Sequence, residues 1–219
     1  MFIVDAHEDI ASNVLHHGRD IRRPLAYIRR REDEIAAARG CPLIDCPDLA
    51  MLSLPEHRSG GVGLVFATIF TLPGALETVV AKSLEQMQYY TSLSEEEAGV
   101  RVISSRSQLK ALQEDWRRAE TSDDRPVGMV LLMEGADPLR DPDELEEWHR
   151  QGLRIIGPSW HGTRYAGGTG APGGVGSVMG DTPSTRRLAR PILSVRHRTA
   201  GGKIQPRAFG SRFRYTPPG

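Results

Sequence analysis

Cysteine is nearly missing: Cys41 and Cys46 are the only two in 219 residues. Two cysteines cannot build the disulfide framework of a small secreted domain, and no paired Cys/His set joins them for a structural zinc site. Net charge is missing as well, since 28 Lys+Arg balance 28 Asp+Glu. That excludes the uniformly basic composition of a nucleic-acid-binding domain. No apolar run approaches the ~20 residues that span a bilayer. The start, MFIVDAHEDI, sets acids where a secretory signal has a basic n-region and an apolar core. Ser12 and Ser159 lack the G-x-S-x-G setting of a hydrolase nucleophile. Residues 167–174 (GGTGAPGG) lack the G-x-x-x-x-G-K-[ST] spacing of a phosphate loop. What is left is a reduced, cytoplasmic, globular chain, with neither nucleic acid nor membrane as a partner.

The charge balance conceals a division. Residues 1–165 carry 19 basic and 27 acidic side chains, whereas residues 166–219 carry nine basic ones and a single acid, Asp181. The second part also holds 11 of the 23 glycines and six of the 15 prolines. It shows neither a helical stripe nor sustained alternation, so an irregular, disordered segment is expected.

Before the division, four short apolar runs stand out: residues 2–6 (FIVDA), 62–70 (VGLVFATIF), 127–133 (VGMVLLM) and 153–156 (LRII). Such runs suit strands buried on both faces, as in a parallel sheet. A further brief strand fits residues 100–103. Helical patterns lie between them, at 24–39, 75–93, 108–119 and 143–151. In the second, Leu76, Val79, Val80, Leu84, Met87 and Tyr90 fall near one face. Alternating strands and helices predict an α/β architecture. Four strand–helix units are too few to close an eight-stranded barrel.

The chemistry gathers where the strands end, which is where α/β folds place their functional groups. The first run delivers His7, Glu8 and Asp9, the third Glu134 and Gly135, the fourth Ser159, Trp160 and His161. In an extended chain His7 and Asp9 point to one side, about 6.6 Å apart, with Glu8 facing away. An imidazole and a carboxylate there suit zinc, and also manganese or cobalt. The competing reading makes Asp9 a helix N-cap for residues 10–16. A carboxylate directly after an apolar strand is costly to bury without a cation or donor, and Glu134 has two oxygens with which to bridge two ions. His161, in a Gly-rich stretch, suits stabilising an oxyanion or orienting a substrate carbonyl, although this segment by itself favours a hydrogen-bonded loop histidine. His16, His17 and His57 fall in polar, loop-like contexts and are expected to be solvated. Trp116 and Trp148 fall in helical patterns and are expected to pack.

Taken together, VDAHEDI, GGVGLVFATIF, VLLMEGADPL and GLRIIGPSWHGTRYAGGTGAPGG resemble the membrane dipeptidase (renal dipeptidase) family of zinc peptidases, in the family's order and over residues 1–174. The resemblance implies a (β/α)8 TIM barrel with two bridged zinc ions, hydrolysing dipeptides by a metal-activated water. It assigns His7 and Asp9 to one zinc, Glu134 to the bridge, and His161 to the substrate.

The family continues for well over a hundred residues beyond this stretch, supplying two histidines for the second zinc and a late Asp. Residues 175–219 hold no counterpart; His197 is the one later histidine, and its surroundings do not match. The expectation is therefore a partial barrel, its first half in residues 1–174, followed by a non-matching basic tail such as a shifted reading frame encodes. At most one well-ligated zinc site is expected, with impaired or absent dipeptidase activity, and open strand edges that favour a homodimer. Two alternatives stay open. One is another metal-dependent amidohydrolase, although those commonly begin H-x-H where this chain has H-x-D. The other is a non-catalytic, metal-binding remnant.

Overall fold

The computed structural model describes residues 1–38, 50–160 and 162–165. Cys41, Cys46, His161 and residues 166–219 lie outside the described residues. Five strands form one sheet: β1 (Ile3–Glu8), β2 (Val62–Phe70), β3 (Val100–Val102), β4 (Val127–Glu134) and β5 (Leu153–Gly157). Every pairing is parallel. Six helices connect them: α1 (Ile10–His17), α2 (Leu25–Ala38), α3 (Leu54–Gly60), α4 (Leu76–Glu96), α5 (Arg106–Arg118) and α6 (Leu145–Arg150), the last preceded by a 3-10 turn at Pro142–Glu144. This is the α/β alternation that the sequence predicts.

The sheet order is β1-β2-β4. On the edge of β4 away from β2, β3 pairs with residues 127–129 and β5 with residues 131–134. The outer edge of β1 has no strand partner among the described residues.

Alternation along β2 and β4 divides the packing. Val65, Ala67 and Ile69 of β2, with Met129, Leu131 and Met133 of β4, face the main core beside Ile10, Met87, Tyr90 and Leu93 from α1 and α4. The opposite face carries Leu64, packed with Ile103 and with Leu112 of α5; Phe2, Phe66 and Val130 pack against this smaller cluster. Both faces of these strands are covered, which is why their sequences read as continuous apolar runs. Glu134 has the even-numbered parity of Val130, so it ends β4 on the smaller cluster's side of the sheet.

Trp116 and Trp148 are buried as expected. The α4 face is rotated from the one that hydropathy suggests. Ser83 and Gln86 are buried and Leu84 is exposed, because both polar side chains satisfy backbone groups inside the protein. The helix α3 has no counterpart among the predicted elements: seven residues are too few to display a period.

Candidate metal centre

The donors owe their direction to a fault in the sheet. Between Asp5, opposite Val65, and Glu8, opposite Ala67, β1 takes three steps while β2 takes two. Ala6 and His7 therefore share the place opposite Phe66, which makes this a β-bulge of the kind that re-aims side chains beside functional sites. After it, Glu8 falls on the main-core side and is buried, while His7 is exposed and Asp9 half-buried. The backbone N–H of His7 donates to Asp5 Oδ1 at 2.9 Å.

Asp9 stands at the N-cap of α1, but its side chain makes no capping hydrogen bond. Its carbonyl oxygen accepts from the Asn13 backbone N–H at 2.9 Å and from Asn13 Nδ2 at 2.7 Å. Asn13 is held in turn by Arg19, which donates from Nε to Glu32 at 2.6 Å. The free amide of Ala11 donates to the Tyr90 hydroxyl at 3.0 Å, and that hydroxyl donates to the Thr68 carbonyl at 2.8 Å. Burial pushes the Tyr90 phenol far above its ordinary range, so it remains a neutral donor. With the helix start supported in this way, the Asp9 carboxylate is not needed as a cap.

His7, Asp9 and Glu134 each offer one ligand atom, all within 4.8 Å of one another. His7 Nε2 lies 3.1 Å from Glu134 Oε2 and 3.8 Å from Asp9 Oδ1. Asp9 Oδ1 is cut off from solvent and has no hydrogen-bond partner among the described residues, although the rest of that side chain is partly exposed. Burial pushes the Asp9 carboxyl up, and the His7 imidazole pulls it back down. Burial likewise pushes Glu134 up; His7 opposes this and the Asp9 carboxylate adds to it. An orphaned buried oxygen, a second half-desolvated carboxylate and an imidazole nitrogen form a donor set that a divalent cation fits.

Beside Glu134 the chain turns sharply through Gly135, whose φ of +84° lies in the left-handed region that favours glycine. A cleft opens there between Glu134 and an aromatic wall. Phe70 and Trp160 form that wall, meeting edge to face with ring centroids 5.8 Å apart. Gln86 pins the end of β2: its Nε2 donates to the Phe70 carbonyl at 2.6 Å and its Oε1 accepts from the Phe70 N–H at 2.9 Å.

Three of the four residues singled out from the sequence thus come together, and the fourth, His161, lies outside the described residues. The expectation for His57 is corrected. It sits on α3, buried, with Nε2 3.0 Å from Glu8 Oε1. A carboxylate turned into the core requires a partner there, and the pairing of Glu8 with Ala67 after the bulge is what makes that side the core. Glu8 does face away from the donors, as the extended-chain reading predicts.

A sequence profile of the family described as membrane dipeptidase (peptidase family M19) matches residues 1–176. No curated protein matches the sequence. Among solved structures, dipeptidase AC, a metallopeptidase of family M19, superposes with a TM-score of 0.59 at 18% identity, covering 88% of this chain and 55% of that one. The chain thus spans about half the length of that dipeptidase, and the likeness is one of fold. A probable dipeptidase PvdM from Pseudomonas aeruginosa matches at TM-score 0.45 and 19% identity, over 53% of this chain and 30% of that one. An amidohydrolase from the same organism matches at 0.49 and 11%, over 64% and 38%. Among the described residues no helix is long and apolar enough to cross a membrane.

Proposed function

This chain belongs to the membrane dipeptidase family, peptidase family M19, and from that premise we propose that it holds zinc through His7, Asp9 and Glu134 for the hydrolysis of dipeptides. The convergence of three donors from two separate strand ends carries the reading. Bound there, zinc supplies Lewis-acid polarisation of a peptide carbonyl and acidifies water. The chain supplies the rest. Glu134 offers two oxygens and so can serve a second ion. Phe70 and Trp160 wall the cleft beside it. His161, next to Trp160 in sequence, is assigned the substrate carbonyl by resemblance.

Residues 1–174 are proposed as the cation-binding unit, with residues 175–219 taking no part in it. The described residues hold three donors, fewer than the two-ion site of the resemblance requires, so turnover by this chain alone is expected to be weak or absent. The edge of β1 that lacks a strand partner among the described residues is the proposed seam for a second copy, and the scarcity of cysteine suits the cytoplasm. Release of amino acids from dipeptides, followed with added Zn²⁺ or Co²⁺ beside a Co²⁺ titration, tests the reading. Co²⁺ binding abolished by His7→Ala is the expected result. Binding that His7→Ala leaves untouched overturns the site, and robust turnover overturns the expectation of impairment. Binding with no release at all supports the remnant reading.

A further inference from the structure

Directly behind the donors lies a buried pair that the proposed chemistry leaves unused. Glu8, between His7 and Asp9 in sequence, turns into the main core and meets His57 of α3, Oε1 to Nε2, at 3.0 Å. Both side chains are over nine-tenths buried. Glu8 Oε2 and His57 Nδ1 have no other partner among the described residues, so this one bond is what holds the two groups in place.

Its position matters because of what surrounds it. Among the described residues β1 is an edge strand, paired on one side only. The bulge interrupts the ladder at Asp5–Glu8, where backbone pairing would otherwise fix the register. Of the last residues of β1, Glu8 is the one that reaches the core. α3, in contrast, is well seated: Leu54 is fully buried and its N–H donates to the Ile21 carbonyl at 2.8 Å, while Glu56 accepts from Ser53 and from the Leu25 N–H.

We propose that His57 is a positioning residue of the metal centre: through its bond to Glu8 it holds the end of β1 in the bulged register that turns His7 and Asp9 toward Glu134. The proposal rests on the cation-binding reading given above. Groups that orient ligands from behind typically change metal affinity ~10- to 100-fold when removed.

The test compares His57→Asn with His57→Gln. Both are amides, but only the longer one carries an N–H to where Nε2 stands. The readouts are the Co²⁺ dissociation constant, the visible absorption band of bound Co²⁺, and the thermal midpoint of the metal-free protein. His57→Asn is expected to weaken Co²⁺ binding ~10-fold or more and to alter the band; His57→Gln restores most of both. Leu112→Ala, in the smaller cluster, lowers the midpoint and leaves Co²⁺ affinity alone. A folded His57→Asn with wild-type affinity and band overturns the proposal, as does a loss in Leu112→Ala matching that in His57→Asn. If His57→Asn fails to fold, Glu8→Leu takes its place: it removes the bond while keeping much of the side-chain volume, and wild-type affinity there overturns the proposal. Wild-type protein that binds no Co²⁺ overturns the metal centre itself, and this proposal with it. Binding lost in His7→Ala but intact in His57→Asn overturns the positioning role alone.

Discussion

Glu134 ends an apolar strand with a carboxylate that the metal-free protein holds at a disadvantage. Its carboxyl is raised by burial, so the folded state favours the protonated form. The stabilisation this brings is complete below the ordinary carboxylate range and is lost as pH rises through the raised value. At neutral pH, metal-free Glu134→Gln should therefore melt at a higher temperature than wild type, with the gap closing toward about pH 4. Scanning calorimetry at the two pH values checks this, and equal midpoints at neutral pH would contradict it. The same variant should lose Co²⁺ binding, an exchange of function for stability. His7, Asp9 and Glu134 were legible in the sequence because polar groups directly after apolar runs mark strand ends. His57 was not: what buries it is the inward turn of Glu8, a property of strand pairing that no local pattern displays.

At the scale of elements, one tyrosine ties three of them together. Tyr90 of α4 receives the Ala11 N–H at the start of α1 and donates to the Thr68 carbonyl of β2. Tyr90→Phe leaves that amide and that carbonyl buried without their partner, a loss of ~1–3 kcal/mol. It should also loosen Asp9, so chemical denaturation and Co²⁺ titration should both register the change. On β4, a Cβ at Gly128 would crowd Leu112 and lie 2.9 Å from Leu64 Cδ1 and 3.0 Å from Ile103 Cγ1. Gly128→Ala should cost ~1–3 kcal/mol by overpacking, with no effect on Co²⁺ affinity; an unchanged denaturation midpoint would show that the cluster yields. The long apolar strands and the longer helices could be read from hydropathy. Two features could not. β3 and β5 share one edge of β4, and sequence order says nothing of that. Gln86 packs inward to clamp Phe70, against its polarity, because the end of β2 needs both its backbone groups satisfied.

At the scale of the whole molecule, α/β class and family were legible as far as the motifs run, and the profile match ends at residue 176. A single three-donor group occurs among the described residues, so elemental analysis of Co²⁺-loaded protein should give one ion per chain; two would require donors from elsewhere in the polypeptide. The strand that ends in His7 and leads into Asp9 is also, among the described residues, the rim of the sheet, where Ile3 and Val4 are open to solvent. Coordination and self-association therefore meet on one strand and the turn that follows it. A ligand that binds only the native fold raises its stability by mass action, so an ion seated at His7 and Asp9 would also guard that rim against strand-to-strand polymerisation. Chelator should accordingly hasten the onset of light scattering on warming, and Co²⁺ should delay it; an ion held there would keep the chain dispersed whether or not it serves catalysis.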